Sequence, residues 1–246
     1  MQPIHRQNFT IDPFHLDRFG RCKGSALLAF AQEAAEAHSM ILSTDWDTLH
    51  QKGLFWAVIR QKLQVTRLPR LGELITVETW PMPTTRVAYP RSTVAYDENG
   101  NEVFRAISLW VLMDESTRMM ILPGKSGIAV RGTLRGGELP PPGSLTVRNL
   151  DRLYQRPVCF SDLDRNGHMN NTRYLDWVMD LLPSSFHRDH PLREVTLCYL
   201  SEAREGEQLR LSWDMQEGPV LTVEASRNEQ ENDIKKQHIF SSQVTF

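Results

Sequence analysis

Cysteine is scarce in this chain. Its three residues, Cys22, Cys159 and Cys198, are widely spaced among 246. An odd, scattered set makes neither a disulfide framework nor a zinc pattern, and it suits a reducing compartment. Positive charge is not in excess. The formal net charge of −2 argues against a dedicated nucleic-acid binder. No apolar run approaches the roughly 20 residues that span a bilayer. The opening residues, Met-Gln-Pro-Ile-His-Arg, hold no apolar region of the signal-peptide kind. With 40% hydrophobic and 24% charged residues the composition is that of a soluble globular protein. The length leaves room for two repeats of roughly 100–130 residues, each able to bury a core.

What the chain does hold is one turn written twice. Residues 163–168 read Leu-Asp-Arg-Asn-Gly-His, and residues 16–21 read Leu-Asp-Arg-Phe-Gly-Arg, 147 positions earlier. The copies differ where chemistry would sit: Asn166 and His168 stand where the first copy has Phe19 and Arg21. Each copy runs into a helical pattern, Leu27, Phe30, Ala31, Ala34, Ala35 in one and Tyr174, Trp177, Val178, Leu181, Leu182 in the other. The spacing predicts helices over 24–41 and 171–182, the second stopped by Pro183. Ser25 and Thr172 are the candidate helix caps. Further on, Gly72-Glu73-Leu74-Ile75 matches Gly206-Glu207-Gln208-Leu209 in setting, now at an offset of 134. Three pieces in one order indicate a duplication whose second copy alone keeps a working site.

Strand signals fill the rest. Alternation marks 55–67 and 73–80, and Asn99-Gly100 predicts a hairpin between 86–96 and 102–113. Residues 119–122 could close the first sheet. The second half gives strands near 153–160, 193–202, 207–215, 219–227 and 236–246, with a polar turn over 228–236. The Gly- and Pro-rich stretch 124–149 reads as a linker. Each half is thus one long helix with a mostly antiparallel sheet, an α+β arrangement.

A sheet wrapped around one long helix is the hotdog architecture. The string SDLDRNGHMNNTRYLDWVMDLLP, ending at Pro183, resembles the active-site segment of acyl-acyl carrier protein thioesterases. WAVIRQKLQVTRLPRLGELITVETWP at 56–81 and RAISLWVLMDESTRMMI at 105–121 are similar to that family's N-terminal hotdog. The resemblance implies a tandem hotdog: 1–123 as a catalytically silent repeat that takes the acyl chain, the linker, and 150–246 with the catalytic site. It implies hydrolysis of fatty acyl thioesters of acyl carrier protein, with neither metal nor cofactor. It also implies a bacterial cytoplasmic protein, since the transit region of the plant members is lacking. Neither a nucleic acid nor a membrane is expected as partner, and a homodimer stays open.

The residues make chemical sense of this. A thioester needs an attacking water, a proton acceptor and donors for the oxyanion. Asp164, Asn166 and His168 are spaced by two across a turn, so if locally extended they point to one side. Backbone N–H groups around Asn170–Thr172 are expected to be unpaired at a helix start. The resemblance supplies a fourth group, the catalytic glutamate, at Glu202; its counterpart in the first repeat is Leu68. Many relatives carry a cysteine next to that glutamate. Here it is Ala203, which excludes a cysteine nucleophile there. Whether Glu202 or Asp164 assists the water stays open. Against this stand plainer roles. Asp-x-Asn turns are common loop formers, and Asp17 keeps the aspartate in the silent copy. Glu202 could pair with Arg204 as a strand-end carboxylate. His187, Asp189 and His190 read as a solvated turn, and Trp56, Trp110 and Trp177 as core. Arg60, Lys62, Arg67 and Arg70 form a basic run that could meet an acidic carrier protein or be an ordinary outer sheet face. Two other classes stay open: an acyl-coenzyme A thioesterase and a non-catalytic acyl-binding protein.

Overall fold

The structure, a computed structural model, describes residues 3–146, 150–228 and 236–246. It forms two compact units, Met1–Pro142 and Gly143–Phe246. The first holds β1 (His5–Thr10), a 3₁₀ turn, α1 (Gly24–Ile41), α2 (Trp46–His50), β2 (Leu54–Val65), β3 (Leu74–Pro81), β4 (Tyr89–Asp97), β5 (Glu102–Asp114) and β6 (Met120–Ile121). The second holds β7 (Arg152–Pro157), a 3₁₀ turn, α3 (Arg173–Met179), α4 (Ser184–Asp189), β8 (Glu194–Tyr199), β9 (Gln208–Gln216), β10 (Val220–Asn228) and β11 (Lys236–Thr245).

The strands pair antiparallel in the order β1-β3-β4-β5-β2 in the first unit, and β7-β9-β10-β11-β8 in the second. These are the same path drawn twice, as the repeated turn predicts. β6 adds to β5 in the first unit. The Asn99-Gly100 hairpin is present: Gly100 sits at φ 79°, and Asp97 accepts from the N–H groups of Asn99 and Asn101.

Helix α1 has the expected bounds. It buries Leu27, Phe30, Ala31 and Ala34 against β1 and β3, with Phe30 against Phe9 at 4.8 Å. Each large apolar side chain so covered contributes about 1.5–3 kcal/mol. Among the described residues no helix is long and apolar enough to cross a membrane.

Several expectations need correction. The second helix is not 171–182 but only Arg173–Met179. Asn170 and Thr172 close a turn before it, and the residue preceding Pro183 cannot easily stay helical. Neither Ser25 nor Thr172 caps: Lys23 is the first helix's N-cap, and Thr172 is helical in φ/ψ with no capping bond. The strand expected over 193–202 ends at Tyr199. Strand β1 went unseen because its six residues are mostly polar. The segment after Pro183 is a short helix, docked through Phe186 on Phe246, with His187 on the Met179 carbonyl. Residues 126–142 of the expected linker lie on the first unit. Thr133 N–H donates to Pro81, Arg135 covers Trp80 and pairs with Glu78, and Ile128 and Val130 pack beside Tyr89 and Leu112. The linker's residues 147–149, and most of the polar turn, lie outside the described residues.

Candidate active site

The two copies of the turn superpose bond for bond. Asp164 N–H donates to the His168 carbonyl at 2.8 Å, as Asp17 does to Arg21 at 2.7 Å. Asp164 Oδ1 accepts from the N–H groups of Asn166 (2.8 Å) and His168 (3.3 Å); Asp17 Oδ1 accepts from Phe19 (2.8 Å) and Arg21 (3.0 Å). Gly167 and Gly20 occupy φ 74° and 71°, left-handed values that L side chains rarely adopt. The aspartate in both copies is therefore the residue that folds the turn.

The partner loop is also duplicated. Met169 N–H donates to the Ala203 carbonyl, as Cys22 does to Pro69, both at 2.8 Å. Gly206 N–H donates to Val158 and Gly72 to Ile11. This register makes Leu68 the structural counterpart of Glu202.

Where the copies differ, chemistry appears. His168 Nε2 lies 3.2 Å from Glu202 Oε2, both side chains being partly exposed. In the first copy Arg21 turns back onto Asp17 at 3.0 Å instead. Glu202 lies in the loop after β8, and Arg227 steadies that loop by donating to the Glu202 carbonyl at 3.1 Å and pairing with Glu207. His168 and Glu202 thus come together. Asn166 is exposed beside them on the turn, its amide 3.4 Å from Asp164 Oδ2. Asp164 is engaged by its own turn.

Sequence reasoning missed Asp162, which is 1% exposed. Its Oδ1 accepts from Trp177 Nε1 at 3.2 Å and from Arg173 at 3.4 Å, and its Oδ2 accepts from Cys159 N–H at 3.0 Å. Its carbonyl takes the Asn170 N–H at 2.8 Å. One buried carboxylate so fixes both ends of the segment carrying Asp164, Asn166 and His168. In the first copy His15 holds the matching turn through its Nδ1. The expectation of free N–H groups at Asn170–Thr172 is corrected. Asn170 donates to Asp162 and Thr172 to the Asn170 side chain, which leaves Asn171 as the donor without an acceptor among the described residues. The basic run is thinner than expected, because Arg67 is bonded to Glu73 (2.6 Å) and Asp97 (3.2 Å). Among the described residues no group of three or more His, Cys, Asp or Glu could hold a metal ion.

A helix-on-sheet unit repeated along one path, with a His–carboxylate pair at the repeated turn of the second copy and an Arg–Asp pair at that of the first, defines a tandem hotdog protein with an asymmetric site. The family descriptions Acyl-ACP thioesterase N-terminal domain and C-terminal domain match residues 2–122 and 149–243. The chain belongs to the acyl-ACP thioesterase family. It is 28% identical over 217 residues to the chloroplastic palmitoyl-acyl carrier protein thioesterase of Gossypium hirsutum, covering 81% of this chain and 52% of that protein. To the dodecanoyl-[acyl-carrier-protein] hydrolase of Cinnamomum camphora it is 26% identical, covering 81% and 56%. The chain spans about half the length of the curated relatives it matches. Among solved structures, an acyl-ACP thioesterase from Bacteroides thetaiotaomicron superposes with TM-score 0.88 at 24% identity, covering 99% of this chain and 98% of that one. The 12:0-ACP thioesterase from Umbellularia californica gives 0.81 at 21% identity, covering 100% and 97%. These likenesses establish the fold as a double hotdog.

Proposed function

We propose that the protein hydrolyses fatty acyl thioesters carried on acyl carrier protein, releasing free fatty acid and ending chain elongation. The observation that carries this reading is the His168–Glu202 pair at 3.2 Å, set against Arg21 and Leu68 at the same places of the silent copy. In the step proposed, Glu202 takes a proton from water as the water oxygen bonds to the thioester carbonyl carbon. The carbonyl electron pair moves onto oxygen, where the Asn166 amide and the Asn171 N–H are the donors at hand. Collapse of this intermediate breaks the C–S bond, and the leaving thiolate recovers the proton from Glu202. His168, bonded to Glu202, holds that carboxylate toward the water. Asp164 is assigned the turn and not the proton, because both its oxygens are engaged there. Every step is carried by side chains and water, so the proposal calls for no metal or cofactor.

The acidic carrier would dock on a basic surface, for which Arg60 and Lys62, two residues apart on β2, are the candidates. Three free cysteines support a reducing compartment such as the cytoplasm. The test is turnover of matched acyl-carrier-protein and acyl-coenzyme A thioesters by the purified protein. Faster hydrolysis of the carrier-protein thioester is expected. Preference for coenzyme A would reassign the carrier, and binding without turnover of either would leave an acyl-binding protein.

A further inference from the structure

The inner face of the first unit's sheet is not uniformly apolar. Under α1 it presents Val77, Ala95, Phe104 and Val65 in register across β3, β4, β5 and β2. Three rows further, under α2, come Tyr89 and Trp110, followed by Leu112 and Trp56. Between these apolar zones the register sets Arg91 beside Ser108 and Ser108 beside Gln61, with Thr79 and Thr93 next to them. This polar seam lies inside the unit: Thr79, Thr93 and Gln61 are buried.

Arg91 crosses from the sheet to the helix. Its Nη1 meets Nδ1 of the fully buried His38 of α1 at 3.2 Å and Thr79 Oγ1 at 3.4 Å. Among the described residues its Nε and Nη2 have no acceptor and it has no carboxylate partner. Desolvation pushes the guanidinium down to about 10, and no anion among the described residues offsets it. Arg91 is itself only half-buried, so its unbonded N–H groups can still be reached by a ligand on this face. A plain alkyl chain laid along this face would leave those donors unmet.

We propose that the first unit selects acyl groups whose chain carries an acceptor oxygen, as a hydroxyl or a carboxylate, which bonds to Arg91 within the polar seam. This rests on the thioesterase reading above, with the acyl chain held in the first unit. A hydrogen bond to a charged donor is worth about tenfold or more in kcat/KM.

The test compares saturated acyl-carrier-protein thioesters over a series of lengths with their ω-hydroxy and ω-carboxy counterparts. At the best length an oxygenated chain should exceed the saturated one by about tenfold or more in kcat/KM. Arg91→Met should remove that excess while keeping or raising turnover of the saturated chain. Thr79→Val, a milder change in the same seam, removes one acceptor of Arg91 while keeping the cation, and should narrow the excess. Saturated chains preferred at every length by the wild-type protein would overturn the proposal and make the seam a simple stop for the chain. An Arg91→Met variant that loses both series equally would overturn it too. No turnover of any series by the folded protein would bring down the thioesterase reading, and this inference with it.

Discussion

Glu202→Gln keeps the shape of the side chain and removes its capacity to take a proton. If Glu202 is the base, kcat should fall by about 10²–10⁴-fold, and the acidic limb of the pH–rate profile should go with it. Asp164→Asn should instead show itself mainly as a lower melting temperature, since Asp164 holds two N–H groups of its own turn. A profile that loses its acidic limb in Asp164→Asn and keeps it in Glu202→Gln would reverse these roles. His168→Ala should cost about 10²-fold or more in turnover with the fold retained. Changing Arg21 should leave turnover near wild type. At this scale the turn residues were legible because they are consecutive and written twice. Glu202 needed the family resemblance, since it lies in a distant loop that meets His168 only through the register of Met169 on Ala203. Asp162 was illegible for another reason. Its partners Trp177 and Cys159 reach it only after the segment has folded back, and nothing in local spacing distinguishes a buried aspartate from a loop one.

At the scale of elements, Asp114 closes the β5–β6 turn by accepting from Ser116 and Thr117. Those bonds, the Ser116 hydroxyl first, hold its carboxyl down to about 2 from an ordinary 3.8. A depressed folded value means stabilisation that is complete above 3.8 and is lost as pH falls through about 2. Asp114→Asn should therefore melt lower than wild type at neutral pH, and the two melting curves should converge near pH 2. A gap constant with pH would show that the charge plays no part. For α3 the corresponding change is Asp162→Ala, which strips the donors of Trp177, Arg173 and Cys159 of their acceptor. Loss of about 2 kcal/mol or more in denaturant unfolding is expected. The bounds of α1 were legible from its strong helical period. Those of α3 were not, because the apolar spacing continues through Leu181 and Leu182 after the backbone has left the helix.

Across the whole molecule the duplication was readable from three short matches, and the shared strand path bears it out. What could not be read was the fate of the Gly- and Pro-rich stretch, since composition marks a segment as irregular without telling whether it packs. The cysteines give a test of both units at once. Cys22 and Cys198 are buried and Cys159 is exposed, and burial pushes the Cys22 thiol up to about 12. A thiol reagent near neutral pH should modify Cys159 promptly, and the other two only after unfolding. Prompt modification of Cys22 would contradict its place beneath the first turn.

The twin turns also carry a comparison within one molecule. A library randomised at Phe19 and Arg21 and, separately, at Asn166 and His168 samples one backbone in two settings. Selection for cellular abundance should rank the substitutions alike in both, whereas selection for fatty acid release should constrain only the second. The difference between the two maps would separate what this turn demands of any occupant from what hydrolysis demands, with the protein serving as its own control.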